Sequence, residues 1–200
     1  ISLLLLSACG HGAGEQTFEA FRDTLTGKLV TVTAQVRVQR GDTVTDYTLT
    51  CQELFEPIAE KIERRLREAD ISFSFALAQP IRILPIHTDA VSVEQIMDNL
   101  TSNAIKYAKG ENAKVQLTVQ ADRHNIVIRF RDNGPGISPK NRKLVFKPFR
   151  RTKDATNSRK PGVGLGLALA RDTARSLGGD LKLEFGTLGG ASFLLTIPKS

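Results

Sequence analysis

Two runs of alternating apolar residues, Val115, Leu117, Val119 and then Ile126, Ile128, Phe130, end at Asp132 and constrain the fold more than any other feature. A period of two with β-branched and aromatic side chains marks half-buried strands, so two antiparallel strands lead into Asp132-Asn133-Gly134-Pro135-Gly136. A sheet with one apolar face needs a second layer, and the flanking segments supply helices. Thr50 and Glu53 have capping-box spacing, and Leu54, Ile58, Ile62 and Leu66 then form one stripe of a helix of about five turns, with Pro57 as its candidate bend. Asp89 can cap a helix running to about Ala108. A third helix opens at Gly162 to Gly166, runs to Leu177 and stops at Gly178-Gly179. Ile71, Phe73 and Phe75 read as a strand, Ile81 to Ile86 as another, and Leu181 to Phe185 and Ala191 to Ile197 as closing strands. The expected class is α+β: a two-layer α/β sandwich whose mixed, mostly antiparallel sheet is covered by about three helices.

The first forty residues admit two readings. Phe18, Phe21, Leu25, Leu29, Val32 and Val36 follow helical spacing, whereas Val30, Val32, Ala34, Val36 and Val38 alternate as a β-branched strand. The helical reading is the one preferred, with a hairpin turn at Gly10 to Gly14. It gives residues 1–40 as the end of a helical hairpin, 41–49 as a linker and 50–200 as the main domain. Leu3 to Leu6 followed by Ser7-Ala8-Cys9 resembles the end of a lipoprotein signal, but no basic start region precedes it, which favours the tail of a buried helix. No stretch approaches the roughly 18 apolar residues that span a bilayer. The chain opens on Ile1, so a piece of a longer protein is expected. Two cysteines, Cys9 and Cys51, are too few for a disulfide framework or a four-ligand zinc site and suit a cytoplasmic setting. The net charge of +7 favours anionic partners. With no Trp and two Tyr, and no basic residues interleaved with aromatic ones, nucleic acid is not the expected one.

Within the second helix, Asn99 and Asn103 lie one turn apart on one face, followed by Lys106 and Tyr107. Asn is a mediocre helix former, so the pair is either a structural hydrogen-bonding couple or a ligand site. An amide oxygen can complete the shell of a Mg²⁺ that also holds phosphate oxygens and water, and a nearby ammonium can neutralise phosphate; Asn103 and Lys106 fit those roles. The loop from Asp132 to Gly136, taken alone, is a tight turn. Its two glycines also allow close backbone approach to a flat ligand, and a strand-end Asp can accept from an exocyclic amine. Gly162-Val163-Gly164-Leu165-Gly166-Leu167 runs into a helix whose first N–H groups could cradle phosphate. It is neither a P-loop nor a Rossmann fingerprint, since it lacks Gly-Lys-Ser/Thr and Leu169 stands where the last glycine would. Arg150, Arg151, Lys153, Arg159 and Lys160 crowd the stretch before it, a candidate lid.

In this order the segments resemble the N box (Asn99 to Tyr107), G1 box (Asp132 to Gly136), F box (Phe146-Lys147-Pro148-Phe149) and G2 box (Gly162 to Leu167) of the GHKL ATPase superfamily. That superfamily includes histidine kinases, gyrase-type enzymes and certain chaperones. The resemblance extends from about Thr48 to Pro198. It implies that ATP and Mg²⁺ are bound, that Asn103 holds the metal, that Lys106 contacts phosphate, that Tyr107 packs on the nucleotide and that Asp132 reads the adenine amino group. Asn99, Gly134, Gly136, Ile137, Phe149, Arg150, Gly162, Val163, Gly164, Leu165, Gly166 and Leu167 complete the implied pocket, with Phe146 and Phe149 anchoring the lid. Many members carry Thr where Ala191 stands, which puts a secondary polar contact near adenine in doubt.

One position separates the branches. Hydrolytic members usually carry a Glu one turn before the metal-binding Asn, where it serves as general base for water. Here that residue is Asn99, and Glu94 is too far along the helix to replace it. The resemblance therefore points to a sensor histidine kinase: ATP-dependent phosphorylation of a histidine, relay to the Asp of a response regulator, and a homodimer built through upstream helices. None of His11, His87 or His124 has the surroundings of an acceptor, so that histidine is expected outside this chain, as is any membrane anchor.

Overall fold

The computed structural model describes residues 14–22, 29–39, 42–108, 112–149, 164–185 and 188–199, and divides the chain into two compact units, 1–48 and 49–200. In the first unit, β1 (Gly14–Arg22), β2 (Leu29–Gln39) and β3 (Asp42–Thr50) pair antiparallel in sequence order, with Phe18 opposite Val32 and Val36 opposite Thr45. The described residues 14–22, 29–39 and 42–50 are thus strands, where a helical hairpin was expected over residues 1–40 and a linker over 41–49. The same valines satisfy both periods, and β-branching decides between them. Val30 to Val38, with Thr31, Thr33, Thr43 and Thr45, lose side-chain freedom in a helix and fit a pleated ladder. The lipoprotein-like run, residues 10–13 of the expected turn and with them His11 lie outside the described residues.

The second unit opens on the expected cap. The Thr50 hydroxyl accepts from the Glu53 N–H at 3.2 Å, and the Glu53 carboxylate accepts from the Thr50 N–H at 2.9 Å, fixing the start of α1 (Cys51–Arg67). The helix passes through Pro57 and buries Leu54, Phe55, Ile58, Ile62 and Leu66. β4 (Ser72–Leu77) follows, then a single 3₁₀ turn at Gln79–Ile81 and a strand β5 limited to Pro85–His87. The strand expected from Ile81 is shorter because Pro80 sets the turn. Asp89 caps α2 (Ala90–Tyr107), its carboxylate accepting from the Val91 N–H at 3.0 Å. β6 (Lys114–Ala121) and β7 (Asn125–Asp132) are the expected antiparallel pair; α3 (Gly166–Ser176), β8 (Asp180–Glu184) and β9 (Ser192–Pro198) complete the unit.

The sheet order is β4-β6-β7-β9-β8, with β4 parallel to β6 and the remaining pairs antiparallel. Together with α1, α2 and α3 it is the mixed sandwich that the sequence implies. The alternate residues Val115, Leu117, Ile126, Ile128, Phe130, Phe193 and Leu195 meet Val93, Ile96, Met97 and Leu100 of α2 in one core. Lys61 bridges Glu94 and Asp98 at 2.6 and 2.8 Å, and Arg65 reaches Asp98 and Ser102 at 2.9 Å each, holding α1 against α2. These partly exposed pairs set register more than they stabilise. Among the described residues, no helix is long and apolar enough to cross a membrane.

The join between α3 and β8 is the tightest point of the framework. A Cβ on Gly179 would stand 1.7 Å from the Thr196 carbonyl oxygen of β9. Gly179→Ala must therefore push two paired strands apart, at about 3 kcal/mol. Urea unfolding should show a lower midpoint with an unchanged slope; an unchanged midpoint would mean that the join yields freely.

Candidate functional site

The last turns of α2 are flanked at one end by the loop after β7 and at the other by the start of α3. Asp132 closes β7 with only 7% of its surface exposed. Its N–H donates to the Ala191 carbonyl at 3.0 Å, and its Oδ1 accepts from the N–H groups of Gly134 at 2.8 Å and Ala191 at 3.2 Å. Burial pushes the Asp132 carboxyl above the usual carboxylate range, against the pull of those two N–H groups. Oδ2 accepts no hydrogen bond among the described residues, so the carboxylate is held by one oxygen and offers the other.

Glycines make this geometry possible. A Cβ on Gly190 would lie 2.2 Å from the Asp132 carbonyl oxygen and 2.4 Å from its Oδ1. On Gly134 it would lie 2.9 Å from the Asp132 Oδ1 and 3.2 Å from the Tyr107 carbonyl oxygen, so this glycine lays the loop against the end of α2. Asn133, expected only as a turn former, ties down the start of β6: its Oδ1 accepts from the Lys114 N–H and its Nδ2 donates to the Asn112 carbonyl, both at 2.7 Å. Gly136 has φ of +70° beside the Gly189 and Gly190 carbonyls, and Ile137 packs on the core.

The two asparagines of α2 behave differently. Asn99 donates from Nδ2 to the Gln95 carbonyl at 3.0 Å, and its Oδ1 lies 2.9 Å from where a Cβ on Gly166 would stand, so the missing side chain lets α3 begin against this amide. Asn103 has a buried Nδ2 with no hydrogen-bond partner among the described residues. A buried amide with no partner among the described residues can take one from a ligand, and a half-turn of the group exchanges its donor and acceptor. Lys106 and Tyr107 are half-buried on the next turn. Among the described residues, no three His, Cys, Asp or Glu gather as a metal site, so a cation at Asn103 would take most of its ligands from phosphate and water.

At the far side, α3 starts with no side-chain cap among the described residues, so its first N–H groups could take an acceptor such as an anion. The Gly164 carbonyl accepts from the Phe149 N–H at 3.1 Å, and Phe149 is 71% exposed with φ of +59°. Phe146 is packed against the core under the Arg171 guanidinium, 4.9 Å from its ring centre, while Leu165 is exposed and Leu167 packs inward. The helix expected from Gly162 is described from Gly166; Arg150, Gly162, Val163 and the basic stretch between them lie outside the described residues. Glu94 is engaged with Lys61. Sequence reasoning gave no role to Ser192, fully buried with an Oγ that has no partner among the described residues, directly after Ala191; the small residues from Gly189 onward were the available signal.

Residues 88–200 match the family described as histidine kinase-, DNA gyrase B-, and HSP90-like ATPase. The chain is 28% identical over 163 residues to the sensor histidine kinase CpxA of Escherichia coli (strain K12), covering 81% of this chain and 34% of CpxA. It is 40% identical over 111 residues to the sensor histidine kinase MtrB of Mycobacterium bovis, 55% of this chain and 19% of MtrB. Among solved structures it resembles the catalytic domain of histidine kinase ThkA, with a TM-score of 0.63 and 27% identity over 76% of this chain and 96% of that one. Full-length ShkA in complex with AMPPNP gives a TM-score of 0.64 and 28% identity over 76% of this chain and 31% of ShkA. The chain thus spans about a third of the length of CpxA.

Proposed function

We propose a role for a chain that belongs to the histidine kinase-, DNA gyrase B-, and HSP90-like ATPase family and carries a catalytic ATP-binding domain of the histidine kinase kind: it transfers the γ-phosphoryl group of Mg-ATP to a histidine outside this chain. That histidine passes the group to an aspartate of a response regulator, and the kinase works as a cytoplasmic domain of a homodimer. The observation that carries this reading over a hydrolytic one is Asn99. Its Nδ2 is tied to the Gln95 carbonyl and its Oδ1 abuts the start of α3. An amide cannot take a proton from water, so the position one turn before Asn103 offers no general base.

The roles then follow the chemistry of each group. The Asp132 Oδ2 accepts from the adenine amino group, and Gly134, Gly136 and Ile137 let the ring lie close. Tyr107 packs on the nucleotide. Asn103 supplies an oxygen to Mg²⁺, which neutralises phosphate charge when bound. Lys106 faces phosphate, and the backbone from Gly162 to Leu167 cradles it at the start of α3. Phe149 and Arg150 belong to the lid that closes over the site. A hydrolytic ATPase coupled to conformational change, or a regulatory module that only binds nucleotide, are the alternatives.

One assay separates them. This chain, joined to its acceptor-bearing segment and given γ-labelled ATP and Mg²⁺, should acquire acid-labile, base-stable protein phosphate. Steady phosphate release without labelled protein would favour the hydrolytic alternative, and neither product would favour the regulatory one.

A further inference from the structure

Away from the nucleotide site, the outer end of the sheet carries a second concavity. β8 is the last strand, and among the described residues no strand pairs with its outer edge. A cavity of about 320 Å³ is lined there by Arg142, Lys143, Phe146, Arg171, Lys182 and Leu183. Lys182 and Leu183 are consecutive, so their side chains leave β8 toward opposite faces, and a cavity touching both lies across the strand edge.

Four of these six residues are cations, and they are not equivalent. Arg171 is committed to Asp180 through a two-point contact at 2.9 and 3.1 Å. Arg142, Lys143 and Lys182 have no carboxylate within ion-pair distance among the described residues. The Arg142 guanidinium lies 4.0 Å over the Phe185 ring, and its Nε is buried with no hydrogen-bond partner among the described residues. Stacking uses the face of the guanidinium and leaves its in-plane donors unspent. Phe185 is 82% exposed. An ordinary solvated basic face would keep its cations in water and would not present a bare aromatic beside an orphaned guanidinium nitrogen. Arginine with exposed aromatic surface is the composition of an interface core.

We propose that this edge is the docking site for an acidic, apolar-studded segment of a partner protein. The segment runs extended along β8, its carboxylates facing Arg142, Lys143 and Lys182 and one apolar side chain entering against Phe146 and Leu183. The greasy walls select a carboxylate on an apolar chain over a bare phosphate, and a concave edge suits a strand better than a flat lipid surface. The site stands independently of the kinase reading.

The test uses the full 200-residue chain. It is titrated with a dye-labelled peptide alternating Glu and Leu, with its Lys–Leu counterpart, and with vesicles of phosphatidylcholine and phosphatidylserine. Only the Glu–Leu peptide should bind, more weakly as salt rises, and roughly tenfold or more weakly to the double variant Arg142→Gln/Lys182→Glu, whose circular dichroism and Mg-ATP affinity should match the parent. Lys182→Glu alone, at an exposed position, carries the test should the double variant unfold. Absence of Glu–Leu binding, binding that the variants leave unchanged, or binding to vesicles alone overturns the proposal.

Discussion

Replacing Asp132 by asparagine is expected to leave the chain folded and to weaken ATP binding by roughly 100-fold, the worth of one hydrogen bond to a charged group turned into a clash of donors. The substitution is informative because the two oxygens of Asp132 do different things. Oδ1 accepts from the Gly134 and Ala191 N–H groups, and an asparagine Oδ1 can accept the same two bonds. The asparagine Nδ2 then stands where Oδ2 stood and presents N–H to the adenine N–H. Acidification acts on the same atom. Because burial raises the Asp132 carboxyl, ATP affinity should begin to fall at a pH above that at which a surface aspartate protonates. Calorimetric titration with ATP, beside urea unfolding, separates the outcomes; equal affinity in the two proteins would remove Asp132 from base recognition.

Asn103→Ala should have the larger effect on phosphoryl transfer and almost none on stability. The Asn103 Nδ2 is buried without a partner among the described residues, so removing the amide breaks no hydrogen bond there and relieves a buried polar atom of its cost. The same amide is the proposed ligand of Mg²⁺, and losing one preorganised group from a charge-stabilising site lowers the rate by roughly 100- to 1,000-fold. Thermal unfolding of the variant should match or exceed that of the parent while protein labelling from γ-labelled ATP falls to background. Retained labelling would refute the metal role; a large loss of stability would mean that the amide is a structural group.

Much of this was legible in the sequence, and the failures have physical causes. Local signals sufficed wherever a residue's partner lies within one turn or on the next strand. Thr50 with Glu53, Asp89 with Val91, and the two alternating runs ending at Asp132 all belong to that class. The N-terminal segment went the other way because Phe21, Leu29, Val32 and Val36 fit a 3.6-residue period while Val30, Val32, Ala34, Val36 and Val38 alternate, so that Val32 and Val36 satisfy both. Its partners, such as Thr45 for Val36, lie on the very next strand, so the failure came from choosing between two periods and not from distance along the chain. The asparagine helix and the glycine loops announced a nucleotide site, but not how it is built. Asp132 meets Ala191 across 59 residues, and the reason for Gly190 is the Asp132 carboxylate pressed against it. Asn133 looked like a turn former and instead fastens β6 from both polar atoms, a role set by where Asn112 and Lys114 come to lie.

In the proposed function the end of α2, the loop after β7 and the start of α3 form one Mg-ATP site. The most direct measurement is titration of the ¹⁵N-labelled chain with Mg-ATP, followed residue by residue through its amide signals. Saturable shifts are expected in Asn99 to Tyr107, Asp132 to Ile137, Gly164 to Leu167 and Gly190 to Ala191, with β4 and the Lys182 edge of β8 unmoved. Shifts spread evenly over the sheet, or gathered at Arg142 and Lys182 while Asp132 and Asn103 stay still, would contradict that reading.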